Sequence, residues 1–502
     1  MTLLVLLAIT TGLAGAQQAG TRAIQLPLSS GQPGGASAEQ SSTPGMGSSV
    51  NTLNTQVRVL GPYASSALDP SANGGAVTLT LTEAVRRGLE FNLGKTGADT
   101  AWQLARAQRA AALSALLPNV SASLSENAAK VDLTAEGFNS SLFGSFGSFS
   151  LPATAGPFHY YDLHGALEQN ALDFTAIHNH RSASQLADAA GLDARQAREE
   201  VVLAVTGSYL QLMATAALIE EQRVEVQYAE ASYKQARAQA EAGSRAPIDA
   251  NRSLVELQTE QQRLRSELGD LQKQKNALSR LIGLPPGEEI ALSEKLQAQV
   301  GDDQEVEENV RRAWAQRLDL RAAEAQLRAA EEARKAAGAE YLPSATISGT
   351  YGVQGVNPNA GNGVFQATAS LSIPIFNGGR THADTAQADA VVTERRAELS
   401  SQRGAVELSV RNASIDLTVA NDQVTTAESN RKLALSILQQ SQDRFEVGVV
   451  DSVEVVNSQE ALASADHDYV SSLFAQNLAR IVLAHAMGEA EKVLPDLFKG
   501  SK

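Results

Sequence analysis

The residues from Gly88 to Thr96 come nearest to a recognisable ligand-binding motif. Gly88, Gly94, Lys95 and Thr96 are the residue types of a loop whose backbone N–H groups and lysine hold a phosphate. Five residues separate the two glycines, whereas that loop needs four and a strand before it. The stretch also lies inside a predicted helix. We therefore expect no nucleotide binding at this position.

A second candidate is the pair His178 and His180, since neutral imidazoles are common metal ligands. Two histidines with no third ligand nearby make a weak metal site, and the solvated start of a helix explains them better. Serine, histidine and aspartate occur in the chain without a nucleophile-elbow motif. The sequence therefore identifies no catalytic centre and no cofactor, and it predicts a protein that is not an enzyme.

Composition narrows the range of partners and indicates long helices. The 502 residues carry a formal net charge of −15, which argues against nucleic acid as a partner because phosphate binding needs a basic face. The chain has no cysteine, so disulfides and thiolate metal sites are excluded. Only 5% of the residues are aromatic, and stretches rich in Ala, Gln, Arg, Glu and Leu are typical of helices packed through small side chains.

The N-terminus predicts export. An apolar run extends from Leu3 to Ile9, and Ala14 and Ala16 fit the small-residue rule for cleavage, so residues 1–16 are predicted to be a signal peptide. Residues 17–77 are rich in Gly, Ser, Thr, Pro and Gln and are predicted to be a flexible leader. We expect no other apolar run to approach the ~20 residues of a membrane helix, so any membrane-spanning part must consist of strands.

The remainder of the chain repeats one pattern. Thr80 and Glu83 form a capping box that predicts a helix running to about Leu116. Leu-Pro pairs at 117–118 and 342–343 each open a strand-like segment. Duplicated spacing indicates an internal repeat, with copies at 78–290 and 304–490 and a tail at 491–502. Two pairs of glycines, each forty residues apart, mark the helix ends in both copies: Gly243 and Gly283, then Gly448 and Gly488.

The segments that follow the second Leu-Pro pair alternate between apolar and polar residues. Ile347 and Tyr351 share one side of the first segment, and Leu371 and Ile373 share one side of the second. This alternation is typical of strands between lipid and a wet lumen. It is equally typical of a hairpin in a soluble β-sandwich, and the pattern alone leaves both open. Residues 120–125 and 161–167 repeat it in the first copy.

The predicted helices are unusually long. Those at about 176–242 and 383–447 would each extend ~100 Å at 1.5 Å per residue, and the helices around them reach ~50 Å. Two shorter helices stacked end to end would then match one long helix, which predicts a coiled-coil cylinder. A plain coiled-coil rod is the alternative, although two inserted pairs of strands argue against it.

The order helix, strand, strand, long helix, turn and helix, present twice, resembles the TolC outer-membrane efflux family. Three motifs of the second copy carry the resemblance: IPIFNGGR at 373–380, RFEVG at 444–448 and SVEVVNSQ at 452–459. The resemblance covers about residues 78–490. It implies a mixed α and transmembrane β-barrel fold, in which the barrel continues into a long α-helical coiled-coil tunnel with two internal repeats per chain.

The resemblance also implies an assembly. Four strands cannot close a barrel, and an open sheet edge cannot sit in lipid, so the family's homotrimer is expected, with a 12-stranded barrel. The implied location is the cell outer membrane, with the tunnel in the periplasm. The implied partners are outer-membrane lipid, a periplasmic adaptor (membrane fusion) protein and an inner-membrane pump. The implied function is the exit duct of a tripartite efflux or type I secretion system.

The resemblance further implies which residues form the working parts of the duct. Three copies of Glu454 would form a carboxylate ring that attracts cations, while Val450 stands where the family has a gate-locking arginine. That lock is expected to be broken unless Arg245 replaces it. Without the resemblance, the acidic residues would be solvated helix surface. The implied pore gate comprises Glu454, Asn457, Asp249, Phe445 and Val450, and the implied adaptor-docking tips comprise Ala242, Gly243, Ser244, Val447, Gly448 and Val449.

Two other functions remain open on the sequence. A periplasmic coiled-coil adaptor protein has one helical hairpin and small β domains, whereas this chain predicts two hairpins and two strand pairs. A requirement for detergent would separate the two classes. A soluble nucleotide-binding enzyme rests only on the near-match at Gly94, Lys95 and Thr96, and measured nucleotide binding would revive it.

Overall fold

The protein is described here by a computed structural model covering residues 22–23, 35–42, 53–70, 75, 77–135, 152–243, 246–298, 305–447, 449–450 and 452–494. It divides into two compact units. The sheet unit comprises residues 104–187 and 325–396 with Arg22 and Ala23. The helical unit comprises the described parts of 29–103, 188–324 and 397–502. The predicted signal peptide at 1–16 lies outside the described residues.

Twice along the chain, helices are followed by two strands, a long helix and a further helix, as the repeat predicts. The strands are β1 (Gly35–Ser42), β2 (Leu53–Leu60), β3 (Val77–Leu79), β4 (Asn119–Asp132), β5 (Thr154–Leu172), β6 (Ile290–Leu292), β7 (Ser344–Gly355) and β8 (Gly361–Ser372). The helices are α1 (Leu81–Phe91), α2 (Leu93–Ser114), α3 (Phe174–Glu241), α4 (Pro247–Ile282), α5 (Val306–Gln316), α6 (Leu318–Ala339), α7 (Arg380–Glu446), α8 (Ser452–Ala486) and α9 (Ala490–Val493).

The sheet of the sheet unit has the strand order β4-β5-β7-β8, and every neighbouring pair is antiparallel. In this register Tyr351 lies opposite Phe365, and Ala345 lies opposite Leu371. Because side chains alternate between the faces of a strand, the alternating apolar residues of all four strands share one face. The polar residues share the other face. The two predicted strand pairs are therefore present and form one sheet.

Part of the predicted flexible leader is structured, so the expectation for residues 17–77 is wrong there. β1 and β2 pair along their whole length as an antiparallel hairpin. The backbone N–H of Ala36 donates to the Glu200 carboxylate, 3.1 Å away. Val57 packs so closely on Gly207 that a Cβ there would lie 2.6 Å from the valine. The composition of this segment could not predict these contacts, because they are made with α3, which is far away in the sequence.

The helix predicted from Thr80 to Leu116 is two helices. Its start is correct, since the Thr80 hydroxyl accepts from the Glu83 backbone N–H at 3.1 Å. Asn92 interrupts it with extended backbone, and its side chain accepts from the Gly94 N–H and donates to the Tyr63 carbonyl, both at 2.8 Å. Asn92 thereby caps the first turn of α2, which is why the chain breaks at this residue.

One helix among the described residues, α3, contains a stretch long and apolar enough to cross a membrane. This is the uncharged run 201–219, so the expectation of no further long apolar run is wrong. Most of the stretch is buried, and Val201, Val205 and Leu212 are fully so. The run forms the core of the helical unit together with apolar residues of α1, α4 and α8.

Candidate pore gate and docking turns

The turn between α7 and α8 carries most of the predicted gate. Arg444, in the last turn of α7, donates from Nη1 to the Glu454 Oε1 at 2.5 Å. Glu454 lies in the first turn of α8, where the helix dipole also favours a carboxylate. The predicted gate carboxylate is therefore already paired within its own hairpin. Within one chain, the Arg444 guanidinium therefore offsets the charge of the Glu454 carboxylate.

The other gate residues of this turn have separate environments. Phe445 is half-buried and packs against a small apolar cluster that includes Leu438 and Val455. Below it, the hydroxyls of Ser441 and Ser458 lie 2.9 Å apart and link the two helices. Asn457 is exposed and Val450 is half-buried. Phe445 thus anchors the hairpin, while Asn457 can meet solvent or a partner.

The docking residues of the same turn expose apolar surface. The Val449 backbone N–H donates to the Arg444 carbonyl at 2.9 Å, which closes the end of α7. The side chains of Val447 and Val449 are exposed. Gly448, between them, lies outside the described residues.

The turn between α3 and α4 carries the remaining predicted residues. Ala242 continues the helical hydrogen bonding to Ala238, and Gly243 follows with φ +71. Nothing lies within 4 Å of a Cβ built on Gly243, so its left-handed backbone, and not a lack of space, requires glycine. Ser244 and Arg245 lie outside the described residues. Pro247 then starts α4, as its missing N–H permits.

Asp249 lies in the first turn of α4 and is paired with Arg252 across 3.8 Å. Each turn therefore places one acidic gate residue at a helix start with an arginine from its own hairpin. Sequence reasoning missed both arginines. Arg444 lies inside the RFEVG motif, four residues before Gly448. This position next to the predicted turn could have indicated that Arg444 is a partner for the gate carboxylate. Arg252 follows Asp249 by three residues, the spacing of neighbours on one helix face.

The near-matches to catalytic motifs have structural explanations. A Cβ on Gly88 would lie 2.6 Å from Val205, and one on Gly94 would collide with the Tyr63 ring, so both glycines permit close packing. Lys95 pairs with Asp99 at 3.0 Å. The His178 Nδ1 lies 2.7 Å from the Glu332 carboxylate. The described residues contain no group of three metal-ligating side chains suited to a metal ion.

The apolar face of the sheet is exposed. Val120 is 77% exposed, Tyr351 is 74% exposed and Phe365 is 80% exposed. Leu124 and Leu371 on the same face are also exposed. The opposite face carries hydrogen-bonding side chains, among them Ser123 and Asp162, which both contact His164. A sheet with one apolar and one polar face can separate lipid from water.

Comparison with known families gives one match. Residues 309–489 match the family described as outer membrane efflux protein. This part of the chain contains the three motifs on which the resemblance rests, so the predicted resemblance is confirmed. Members of this family are transport channels and not enzymes, as the sequence predicts. No curated protein matches the chain.

Solved structures with the same fold span most of the chain. A membrane protein from Pseudomonas aeruginosa has a TM-score of 0.71 at 20% identity, covering 85% of this chain and 95% of that one. VceC of Vibrio cholerae has a TM-score of 0.69 at 19% identity, covering 82% and 96%. The open state of the Neisseria gonorrhoeae MtrE channel has a TM-score of 0.67 at 18% identity, covering 93% and 98%. The predicted combination of β-barrel strands and a helical tunnel is confirmed as the fold type.

Proposed function

We propose that this chain forms an outer-membrane exit duct that passes substrates from the periplasm, or from a pump, to the exterior. The observation that carries the proposal is the exposed apolar face of the sheet β4-β5-β7-β8. The match of residues 309–489 to outer membrane efflux proteins supports it. The expected location is the cell outer membrane, with the helices in the periplasm.

The exposed face distinguishes a lipid-facing sheet from a soluble sandwich. In a sandwich, a second sheet covers the apolar face about 10 Å away. Here Val120, Tyr351 and Phe365 remain exposed, and each apolar residue alternates with a polar one on the other face. Exposed aromatic residues such as Tyr351 and Phe365 suit the interface between lipid and water. The sheet therefore fits lipid on its apolar side and a wet lumen on its polar side.

The sheet also requires further copies of the chain. β4 and β8 each pair on one side only among the described strands, and an unpaired edge is not tolerated in lipid. Three copies would supply a barrel of twelve strands, a size within the range of membrane barrels. The homotrimer is accordingly part of the proposal.

The gate proposal changes once Arg444 is included. Three pairs of Arg444 and Glu454 near a pore axis would attract cations less than three free carboxylates, because each arginine offsets one charge. Arg444→Ala should therefore increase the preference of the pore for cations, whereas Glu454→Ala should reduce or reverse it. Reversal potentials of the purified protein in planar bilayers under a salt gradient measure this preference.

Glu428→Ala provides a matched control, because it removes an exposed carboxylate of α7 that pairs with Lys432 away from the turn. It should leave the reversal potential unchanged. If Glu454→Ala also leaves it unchanged, Glu454 does not line the constriction and the assignment of the gate to this turn is wrong.

Each docking turn joins one helix to the next helix, and not to a strand of the sheet. We expect protein partners to bind at these turns. Val447 and Val449 expose apolar side chains, which suit a periplasmic adaptor protein that joins the duct to an inner-membrane pump. Tripartite efflux and type I secretion both use such an arrangement, and both fit. The alternative, that this chain is itself the adaptor, predicts a protein that does not insert into membranes.

Membrane insertion tests the proposal directly. Leu371→Arg and Ile347→Arg place a charge on the apolar face, which should cost ~2–4 kcal/mol at mid-bilayer and less near an interface. Ser370→Arg is the control, because Ser370 precedes Leu371 on the opposite, polar face of β8. The first two variants should reduce the assembled trimer recovered from outer membranes, while Ser370→Arg should assemble normally. Normal assembly of both Leu371→Arg and Ile347→Arg would refute the lipid-facing assignment.

A further inference from the structure

A cavity of about 550 Å³ lies between helices α3, α4 and α8 of the helical unit, and none of the predicted gate residues lines it. The part of its wall formed by α3 and α4 carries five carboxylates. They are Glu221 and Glu225 of α3, and Glu256, Glu260 and Glu267 of α4. Carboxylates gathered around one cavity repel one another unless cations or protons balance their charges.

Few cations of the protein balance this charge. α8 adds Glu460, Asp466 and Asp468 to the wall, while Arg263 is the one arginine or lysine among the lining residues that the structure describes. Arg263 pairs with Glu260 at 3.1 Å. From outside the wall, Arg431 pairs with Asp466 and lies 3.5 Å from Glu221. The lining residues that the structure describes therefore include many more carboxylates than arginines or lysines.

Among the described residues, Glu225 has no hydrogen-bond or ion-pair partner, and one oxygen of Glu267 has no hydrogen-bond partner. Glu225 is only 9% exposed, and the Glu267 oxygen, also at the wall, is buried. Burial, followed by the charge of Asp466, raises the pKa of Glu225 to about 7. Burial also raises the pKa values of Glu221, Glu256 and Glu267.

A bound cation can balance carboxylates that have little solvent and no protein partner. A single metal ion does not fit, because no three metal-ligating side chains among the described residues lie close enough to hold one. The carboxylates are instead spread along the helices. Glu256 and Glu267 are eleven residues apart on α4, which is about 16 Å at 1.5 Å per residue. A spread of this kind matches several positive charges on one extended molecule.

We propose that this cavity binds a linear organic polycation of the polyamine class, whose ammonium groups pair with Glu225, Glu267 and Glu460. Bound there, the ligand removes the mutual repulsion of the three helices and holds them together. The site is separate from the pore gate, and it can exist whether or not the chain works as an exit duct.

The test is calorimetric titration of the purified full-length protein in detergent with spermine. Glu225→Gln keeps the shape of the side chain and removes its charge, and it should weaken spermine binding by about tenfold or more, as loss of a buried charge partner does. Glu230→Gln is the matched control, because it removes a half-exposed carboxylate of the same helix that pairs with Lys234 and does not line the cavity. It should change the affinity less than about twofold.

Proton release provides a second readout. Since the pKa of Glu225 is about 7, spermine binding at pH 7 should displace protons, and the binding heat should vary with the ionisation heat of the buffer. The affinity should rise from pH 6 to pH 8. His467 also lines the cavity, so the loss of proton release in Glu225→Gln identifies the group that releases them.

Three results would overturn the site. The first is equal spermine affinity in Glu225→Gln and in the unmodified protein. The second is propylamine binding as tightly as spermine, which would contradict an extended ligand. The third is displacement of spermine by Mg²⁺ at matched ionic strength with the same result in every variant, which would indicate general charge screening.

Discussion

Two apolar regions of this protein, the run 201–219 of α3 and the outer face of the sheet, have opposite environments. The run in α3 is continuous and uncharged, yet Val201, Val205 and Leu212 are fully buried within the helical unit. The sheet is apolar only at alternate residues, yet Val120 and Phe365 are largely exposed. By composition, the run in α3 resembles a membrane span more than the strands do, yet it forms part of the core. The strands, which are apolar only at alternate residues, form the exposed apolar surface.

The difference has a physical origin in how each element uses its faces. A helix that is apolar all round needs neighbours on every side, and α1, α4 and α8 supply apolar side chains around α3. A strand has two faces with different residues, so its pairing register decides what the apolar face meets. Length and hydropathy alone therefore cannot assign lipid contact. The neighbours of each element must also be known.

The largest effect should follow from charging the buried run. Val205→Arg would place an unpaired cation where Val205 is fully buried and in close contact with Gly88. We expect a loss of more than ~4 kcal/mol of stability, seen as loss of the cooperative unfolding transition in circular dichroism. Val255→Arg is the control, because Val255 is exposed on α4 of the same unit, and its effect should remain within about 0.5 kcal/mol.

A stable Val205→Arg protein that still inserts into membranes would show that the run meets something other than a packed core. The claim that the run in α3 is a buried core segment would then be wrong. The effect expected for Leu371→Arg on the sheet face, described above, is smaller and differs in kind. It should impair insertion and assembly without melting the helical unit.

The exposed valines of the second docking turn should give the smallest effect. Val449→Asp should leave folding and insertion unchanged, because Val449 is already exposed, but it should lower adaptor binding by about 1–2 kcal/mol if the turn docks there. Drug or protein export from cells and pull-down of the adaptor measure this loss. Val449→Ile keeps the apolar surface and should export normally. Full export by Val449→Asp would remove this turn from the docking surface.

Local patterns predicted the elements well where the interactions are local. The Thr80 cap and the alternating strands both follow from neighbouring residues. The structure differs from the predictions where a local conformation depends on residues that are distant in the sequence. The β1-β2 hairpin depends on α3, and the break at Asn92 depends on Tyr63. Hydropathy also failed to identify the run in α3 as a core segment, because its burial depends on three other helices.

The candidate site shows the same division. The resemblance to the family led us to expect Glu454, Phe445 and Asp249 at the turns between helices. In the structure Glu454 and Asp249 lie in the first turns of α8 and α4, and Phe445 lies in the last turn of α7. The pairing of Glu454 with Arg444 needs the geometry of the closed hairpin, and no spacing rule along one helix predicts it. Their roles in a pore depend on the proposed assembly of three chains.

The most direct test of the lipid-facing sheet uses the absence of cysteine from the chain. A single cysteine placed at Leu371 or at Ser370 can be spin-labelled alone, and the two positions lie on opposite faces of β8. In liposomes, a label at Leu371 should collide readily with oxygen, which concentrates in lipid, and a label at Ser370 with a water-soluble nickel chelate. Access of the nickel chelate to both labels, with no preference for oxygen at Leu371, would contradict a membrane-spanning sheet.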